Sequence, residues 1–473
     1  MTSPTAIALD DIQGIVLHGY GHLHEARFVL LGVRAGHAAQ AGRYLASLPL
    51  TSASKAARRE QEPGPFVNVA FTHAGLEALG LDAKLLDDFP RDFVEGPTTA
   101  ARARLLGDQG NSRPANWIWG SPGTPTVHAM LLLYAKDGID ALCATYLRAA
   151  AAAGLDALLC LDTIRLPRRQ EHFGFRDGIA QPTVKDAGAP GPAFDVETGE
   201  IFLGHPNGFG EIAHVPGGGH TPFARNGSYL VARQLEQDVP GFWAACRAAA
   251  ASDDEAIHLA SRMVGRWPGG TPLVLDAQRD SMASGFTDAD RNAFEYADAD
   301  PKGLKCPFGA HVRRSHPRDW GVAASAAESR TVVSRHRIIR RGRAYGAPFC
   351  PDAEPRSYLE ALGADPGGPR GLHFLCFNAN IEQQFEFVQR QWCENPKFAG
   401  AVNGADPLLG DHRQLEGDPP TFSIERETTA ERIPLTRRFV HTRGAAYLFM
   451  PTIAAVASLA VARYTGPEAG AVS

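Results

Sequence analysis

Several features are missing from the 473-residue chain, and each absence excludes a class of protein. No apolar run is long enough to span a membrane, since the best candidate, residues 445–462, is interrupted by Pro451. The seven cysteines never stand in Cys-x-x-Cys spacing, which disfavours a zinc site or a disulfide framework. The first residues lack a basic region, an apolar run and a twin-arginine pair, so a cytoplasmic location is expected.

Common catalytic motifs are missing as well. The chain has no Gly-x-Ser-x-Gly, no His-Glu-x-x-His and no phosphate-binding loop. A net charge of -5 and a pI near 6.4 give no indication of a nucleic-acid or membrane partner. The composition, 44% hydrophobic with 49 glycines and 34 prolines, is typical of a folded globular enzyme with many loops.

The hydrophobic pattern predicts an α+β fold of antiparallel sheets covered by helices. Strands are predicted at residues 27–33, 65–71, 126–134, 227–233, 371–377 and 448–452. Helices are predicted at 73–80 (capped by Thr72), 139–153, 239–251, 381–392 and 453–463. The loose order strand, helix, strand, strand, helix, strand occurs in both halves, which indicates two similar domains. We expect them at 1–190 and 226–465, joined by a Gly- and Pro-rich connection at 191–225 and followed by a tail at 466–473.

An acidic residue between two glycines is the first candidate site. Asp177 lies in the segment His172–Pro182, between Gly174 and Gly178. Glycine permits backbone conformations closed to other residues and lets a bound group approach closely. Asp-Gly is also a common surface turn, so the motif gains weight only from other residues.

A histidine and an arginine later in the chain supply that support. His311 follows an apolar Pro-Phe-Gly-Ala, and neutral imidazole is a standard axial ligand of haem iron. Arginines beside it could pair with the two haem carboxylates. Asp177 could move a proton while peroxide is cleaved, and Arg340 could stabilise the departing oxygen. His316, His172 and His373 remain competing ligands.

These segments together resemble the dye-decolorising peroxidases. The Gly-x-x-Asp-Gly motif is present at 174–178, the proximal-histidine motif at 306–318 (CPFGAHVRRSHPR), and the distal-arginine motif at 337–346 (RIIRRGRAYG). The resemblance implies two ferredoxin-like domains, with haem b in the second and the aspartate motif closing over it. It implies oxidation of dyes, phenols or other bulky aromatic reductants by hydrogen peroxide through a high-valent iron-oxo intermediate.

By motif position, His311 is the iron ligand, and Asp177 and Arg340 are the catalytic pair. The resemblance also assigns His172 and Arg318 to the haem carboxylates, and Leu372 and Phe374 to the distal pocket. The chain departs from the family pattern twice. Asn380 stands where an acidic residue often orients the proximal histidine, with Glu382 two places on. Arg343–Gly346 (RAYG) replaces the usual Ile-Pro-Tyr-Gly.

Other functions of the same fold stay open: a haem carrier or sensor without turnover, and an enzyme that modifies haem or acts on chlorite-like anions. The presence of both Asp177 and Arg340 favours the peroxidase, because a carrier needs neither. Large dyes are expected to react at the surface through an aromatic relay, for which the candidates are Trp267, Trp320, Trp392 and Tyr345.

Overall fold

The computed structural model describes residues 7–58, 61, 63–187, 196–218, 223–281, 287–364, 367–401, 403–412 and 420–460. In that part of the chain the strands are β1 Glu25–Val33, β2 Phe66–Phe71, β3 Ala129–Ala135, β4 Leu155–Asp162, β5 Ser228–Gln237, β6 Ile339–Arg340, β7 Arg343–Tyr345, β8 Gly371–Asn378, β9 Thr421–Glu425, β10 Ala430–Pro434 and β11 Val440–Met450. The α-helices are α1 Ala38–Ala46, α2 Ala53–Ala57, α3 His73–Ala78, α4 Ala83–Asp87, α5 Arg91–Glu95, α6 Ala100–Leu105, α7 Ile139–Ala152, α8 Val239–Ala248, α9 Asp253–Val264, α10 Tyr296–Ala299, α11 His311–Ser315, α12 Ala326–Ser334, α13 Pro355–Glu360 and α14 Ile453–Ser458.

Each half of the chain builds a four-stranded antiparallel layer with the same strand order. The orders are β4-β1-β3-β2 and β11-β5-β8-β6, with the short β7 also paired to β8. Numbered within each half, both are 4-1-3-2, the order of the ferredoxin-like unit. The predicted α+β class and the predicted repeat are therefore confirmed. The two layers meet edge to edge where Phe449 of β11 pairs with Phe71 of β2, so that hydrogen bonding is continuous across a nine-stranded sheet.

Local sequence signals place most of these elements. Thr72 caps α3 as predicted, since its hydroxyl accepts a hydrogen bond from the backbone N–H of Gly75 at 3.0 Å. β3 begins at Ala129, later than predicted, because its pairing with β1 and β2 starts at that residue. The last helix ends at Ser458, and the predicted tail lies outside the described residues.

The segment predicted as a helix at 381–392 is π-helical rather than α-helical. It consists of Glu382–Glu386 and Val388–Cys393. Its Gln384 side chain donates hydrogen bonds to the carbonyls of Glu200 and Arg337. The bond to Arg337 ties the segment to the backbone just before β6. π-Helical turns occur often at functional sites, and this one borders the cavity described below.

Hydrophobic residues cover both faces of the sheet, and a third core lies beneath α8, α9 and α13. In the described part of the chain, no helix is long and apolar enough to cross a membrane. The domain boundaries and the cytoplasmic location stay predictions.

Candidate active site

One face of the second layer forms the wall of a large cavity. The volume of this cavity is about 1840 Å³ when the solvent space at its open mouth is included. Alternate residues of neighbouring strands point into it, because side chains on one face recur with a period of two. These strand residues are Arg233, Leu235 and Gln237 of β5, Leu372 and Phe374 of β8, Val440 and Thr442 of β11, and Arg340 of β6. Helix α11 and the π-helical segment contribute other walls. The aspartate motif adds residues 173, 175–177, 179 and 180, and Glu171 just before the motif lines the cavity as well.

His311 is the first residue of α11 and lines the cavity. Its Nδ1 is 2.9 Å from Oδ2 of Asp406, a carboxylate with no solvent exposure. Oδ1 of Asp406 accepts hydrogen bonds from the backbone N–H groups of Leu408 and Leu409. Burial lowers the pKa of His311, but the Asp406 carboxylate outweighs that effect and raises it overall. Because Nδ1 donates to Asp406, Nε2 is the nitrogen left to bind a metal.

Asp406 is therefore the acidic residue bonded to His311, a position for which the sequence offered only Asn380 and Glu382. Oδ1 of Asn380 accepts a hydrogen bond from the backbone of Gln383, and the backbone N–H of Glu382 donates to Asp92. Neither side chain reaches His311. The sequence around Asp406, Gly-Ala-Asp-Pro, carries no recognisable signal, and the contact spans 95 positions. It could not have been found from local pattern.

Asp177 and Arg340 are brought together, as the motifs predicted. Nη1 of Arg340 donates to Oδ1 of Asp177 at 3.1 Å, and both residues line the cavity. The Asp177 side chain is 46% exposed because it faces this open space. Burial raises the pKa of Asp177, but the guanidinium of Arg340 and the backbone N–H of Gly178 lower it further, so the net shift is downward. The ionised carboxylate, the form that can accept a proton, is thus favoured.

The Gln-Pro that ends the aspartate motif has a structural role. Oε1 of Gln181 accepts a hydrogen bond from the backbone N–H of Arg340 at 3.0 Å. This bond fixes the end of the motif to β6, the strand that carries the arginine. Asp177 and Arg340 are therefore aligned by a second contact besides their own ion pair.

Three buried arginines form a cationic wall of the cavity: Arg266, Arg318 and Arg337. Arg337 donates to Nε2 of His316 at 2.9 Å, and burial together with Arg318 and Arg340 lowers its pKa to about 9. Burial also lowers the pKa of Arg266 to about 10. Among the described residues, neither Arg266 nor Arg337 has a carboxylate ion partner. Such a wall favours an anionic ligand.

Of the arginines near His311 that were expected to meet haem carboxylates, Arg318 lines the cavity, but the two nearest to His311 do not. Arg313 and Arg314 are fully buried and point away from the cavity. Arg313 pairs with Asp300 and lies over the rings of Tyr296, Phe308 and Trp320. Arg314 donates only to backbone carbonyls, those of residues 392, 393, 395 and 404. Both anchor α11 because they satisfy loop carbonyls around it.

The remaining predicted site residues divide into two groups. Arg318, Leu372 and Phe374 line the cavity. His172 does not line it, since its Nε2 bonds the carbonyl of Tyr345 at 2.8 Å. His373 lies on the opposite face of β8, bonded to the Asp162 carbonyl, because it alternates with Leu372 and Phe374. Assignment of His172 to a haem carboxylate thus stays a prediction that gains no support from its position.

None of the four aromatic relay candidates is a surface residue. Trp267, Trp392 and Tyr345 are buried, and Trp320 is partly buried and stacked on Phe308. Trp392 alone among the four lines the cavity, where its ring meets His336 and Phe387 edge to face.

No family model matches the chain, but curated proteins and solved structures resemble it over nearly its whole length. A dye-decolorizing peroxidase of Mycetinis scorodonius is 31% identical over 96% of this chain and 88% of its own length. One from Mycena epipterygia is 31% identical over 97% of this chain and 88% of its own length. The solved structure of a dye-decolorizing peroxidase from Auricularia auricula-judae covers 96% of this chain and 100% of that one, with 27% identity and a TM-score of 0.78.

The chain belongs to the dye-decolorizing peroxidase family. It is accordingly a peroxidase, and the resemblance drawn from three short motifs extends over nearly its whole length. Another solved relative is a dye-decolorizing peroxidase whose heme pocket was engineered for asymmetric sulfoxidation, with 26% identity and a TM-score of 0.79 over 96% of this chain and 100% of its own.

Proposed function

We propose that this peroxidase binds haem b through His311, reduces hydrogen peroxide with Asp177 and Arg340, and oxidises dyes, phenols or other bulky aromatic molecules. The observation that carries the proposal is that two hydrogen-bonded pairs of side chains meet at one cavity. His311 with Asp406 lies on α11, and Asp177 with Arg340 lies at β6 and the aspartate motif.

The lining residues fit a haem. The flat porphyrin ring of a haem is apolar and needs apolar side chains around it, which Leu372, Phe374 and Leu408 supply. Two carboxylates need cations, and Arg337 and Arg266 are buried there without carboxylate partners in the described structure. Burial and the neighbouring Arg318 and Arg340 lower the pKa of Arg337 to about 9, which is the direction expected for a guanidinium without a carboxylate partner. An iron needs an oriented imidazole, which the Asp406 bond provides to His311. When bound, the haem supplies the electrons that cleave peroxide and afterwards withdraws electrons from the reductant.

The chain's own residues handle the proton and the charge. Asp177 accepts the proton that peroxide loses at one oxygen and returns it to the other oxygen as the O–O bond breaks. Arg340 keeps Asp177 ionised beforehand and presents N–H donors to the oxygen on which negative charge develops. Leu372 and Phe374 narrow the cavity beside this pair, so a small peroxide fits more readily there than a bulky aromatic molecule.

Steady-state kinetics with haem-loaded protein test the proposal. We expect peroxide-dependent bleaching of an anthraquinone dye by the wild type, and loss of it in Asp177→Asn and Arg340→Leu. A haem carrier or sensor would bind haem but show no turnover in any of the three proteins. A haem-modifying enzyme would instead change the extracted haem during turnover, which mass spectrometry of the cofactor detects.

A further inference from the structure

Glu171 stands just before the aspartate motif and takes no part in the proposed proton transfer, yet it is held by an unusual set of bonds. Its Oε2 accepts from the backbone N–H of Phe173 at 2.9 Å, and its Oε1 accepts from that of Phe175 at 3.0 Å. Nε2 of Gln237 donates to Oε2 at 2.6 Å. One carboxylate thus collects three donors around Gly174, the first glycine of the motif.

The backbone closes the same turn. The N–H of Gly174 donates to the Glu171 carbonyl at 2.9 Å, and the N–H of Glu171 donates to the Phe175 carbonyl at 2.9 Å. Gly174 has φ of +92°, and a Cβ there would lie 2.7 Å from the Tyr358 ring. The turn is therefore tight, and the Glu171 carboxylate bonds to the backbone on both sides of Gly174.

Gln237 connects this turn to the catalytic sheet. It is the last residue of β5 and lines the cavity, as Glu171 also does, and its backbone N–H donates to the Arg370 carbonyl at 2.8 Å. The other end of the motif is fixed to the sheet by Gln181 and Arg340. Asp177 lies between these two attachments, six residues after Glu171 and four before Gln181.

We propose that Glu171 is a positioning residue for Asp177: its carboxylate, held by Gln237, sets the turn that aims Asp177 at the bound peroxide. This inference rests on the proposed function, in which Asp177 handles the peroxide proton. Glu171 acts through the loop and does not touch the reacting oxygens. Its chemistry is specific, because all three partners are donors, and an amide in its place would turn an N–H group toward one of them.

The test uses haem-loaded protein and measures the peroxide reaction per haem by stopped-flow absorbance. Glu171→Gln keeps the size but removes one acceptor, and we expect a rate about 10 to 100 times lower, the effect typical of a misplacement near 1 Å. Gln237→Leu should slow the reaction by a smaller factor. The double variant should be no slower than Glu171→Gln, because both changes break the same attachment.

The matched control is Glu200→Gln. Glu200 is buried, and like the partly buried Glu171 it has a pKa raised mainly by burial and accepts a backbone N–H, that of Gly208 at 3.0 Å. It does not line the cavity, so its peroxide rate should stay within twofold of the wild type. Asp177→Asn is the reference for the proposed function. If this variant reacts at the wild-type rate, Asp177 does not transfer the peroxide proton, and the proposed function fails independently of Glu171.

Hydrogen exchange separates positioning from general stability. In Glu171→Gln the amides of residues 173–181 should exchange faster while the rest of the protein is unchanged. Faster exchange throughout, or a peroxide rate within twofold of Glu200→Gln while Asp177→Asn is slow, would overturn the proposal. Should Glu171→Gln fail to fold, Gln237→Leu decides: a wild-type rate and wild-type exchange at 173–181 overturn it.

Discussion

The carboxylate of Asp406 lies 2.9 Å from Nδ1 of His311, although 95 residues separate the two in the chain. Two backbone N–H groups hold the other oxygen of Asp406, so its orientation is fixed. A buried carboxylate bonded to a ligating imidazole raises the basicity of the ligand, and this strengthens its bond to iron.

Asp406→Asn is expected to weaken that support without emptying the site. The amide is neutral, so His311 becomes a poorer electron donor and the reduction potential of the bound iron rises. Haem affinity or peroxide reactivity should fall by about 10- to 100-fold. Spectroelectrochemistry and haem titration measure the two effects. An unchanged potential together with unchanged affinity would mean that Asp406 only anchors its own loop.

Arg340→Leu should slow the peroxide step by about 10²–10³ and leave haem content unchanged. It should also move the acid limb of the pH profile. The pKa of Asp177 is held below its ordinary value because Arg340 outweighs the effect of burial. The carboxylate is therefore present above that lowered pKa and is lost as the pH falls through it. Removing Arg340 removes the main lowering contribution, so the acid limb shifts to higher pH.

Asp177→Asn provides the companion profile. It removes the base, so the limb assigned to Asp177 should vanish and most turnover at acidic pH should be lost. Initial rates against pH at saturating peroxide, for wild type and both variants, decide the assignment. If Arg340→Leu and wild type share one acid limb, the titrating group is not Asp177.

Trp392→Phe should reduce dye oxidation more than Trp267→Phe, Trp320→Phe or Tyr345→Phe. Trp392 is the one member of this set that lines the cavity, so it can give an electron directly to an oxidised cofactor bound there. The peroxide step should be the same in all four variants. Equal dye rates in Trp392→Phe and wild type would show that electrons take another route or that the dye reaches the haem edge.

Stability should respond to pH through Glu394. Burial raises its pKa from 4.5 to about 7, despite the opposing effect of Arg438. The folded protein therefore binds a proton that the unfolded chain has released, and the stability this contributes is lost as pH rises from about 4.5 to 7. The slope is at most about 1.4 kcal/mol per pH unit. The free energy of unfolding, measured with denaturant on the haem-free protein at pH 5 and 8, should fall less with pH in Glu394→Gln than in the wild type. An equal fall in the two proteins would refute the prediction.

The three residues that sequence reasoning selected from compact motifs all line one cavity. Asp177, His311 and Arg340 each occur in a segment of about ten residues whose glycines, prolines and arginines are specific. The repeated order of strands and helices also indicated two similar domains, and the family resemblance implied that they are ferredoxin-like. In each case the signal is local.

Contacts between distant segments could not be predicted in this way. Asp406 meets His311 through a loop with no distinctive composition, and Gln237 meets Glu171 from the end of a strand whose pattern shows only burial. The π-helical form of residues 382–393 was missed because periodicity alone does not separate a π-helix from an α-helix. Sequence adjacency to His311 also does not indicate which arginines face the cavity: Arg318 does, whereas Arg313 and Arg314 are buried away from it.

The most direct test of the central claim is the absorption spectrum of purified protein loaded with haem b, before and after one equivalent of hydrogen peroxide. The account predicts a histidine-ligated ferric spectrum that changes within the mixing time in wild type and in the control His373→Gln, whose side chain lies on the other face of β8. His311→Ala should lose the haem on gel filtration. A His311→Ala protein that keeps wild-type haem content, spectrum and peroxide response would contradict the account.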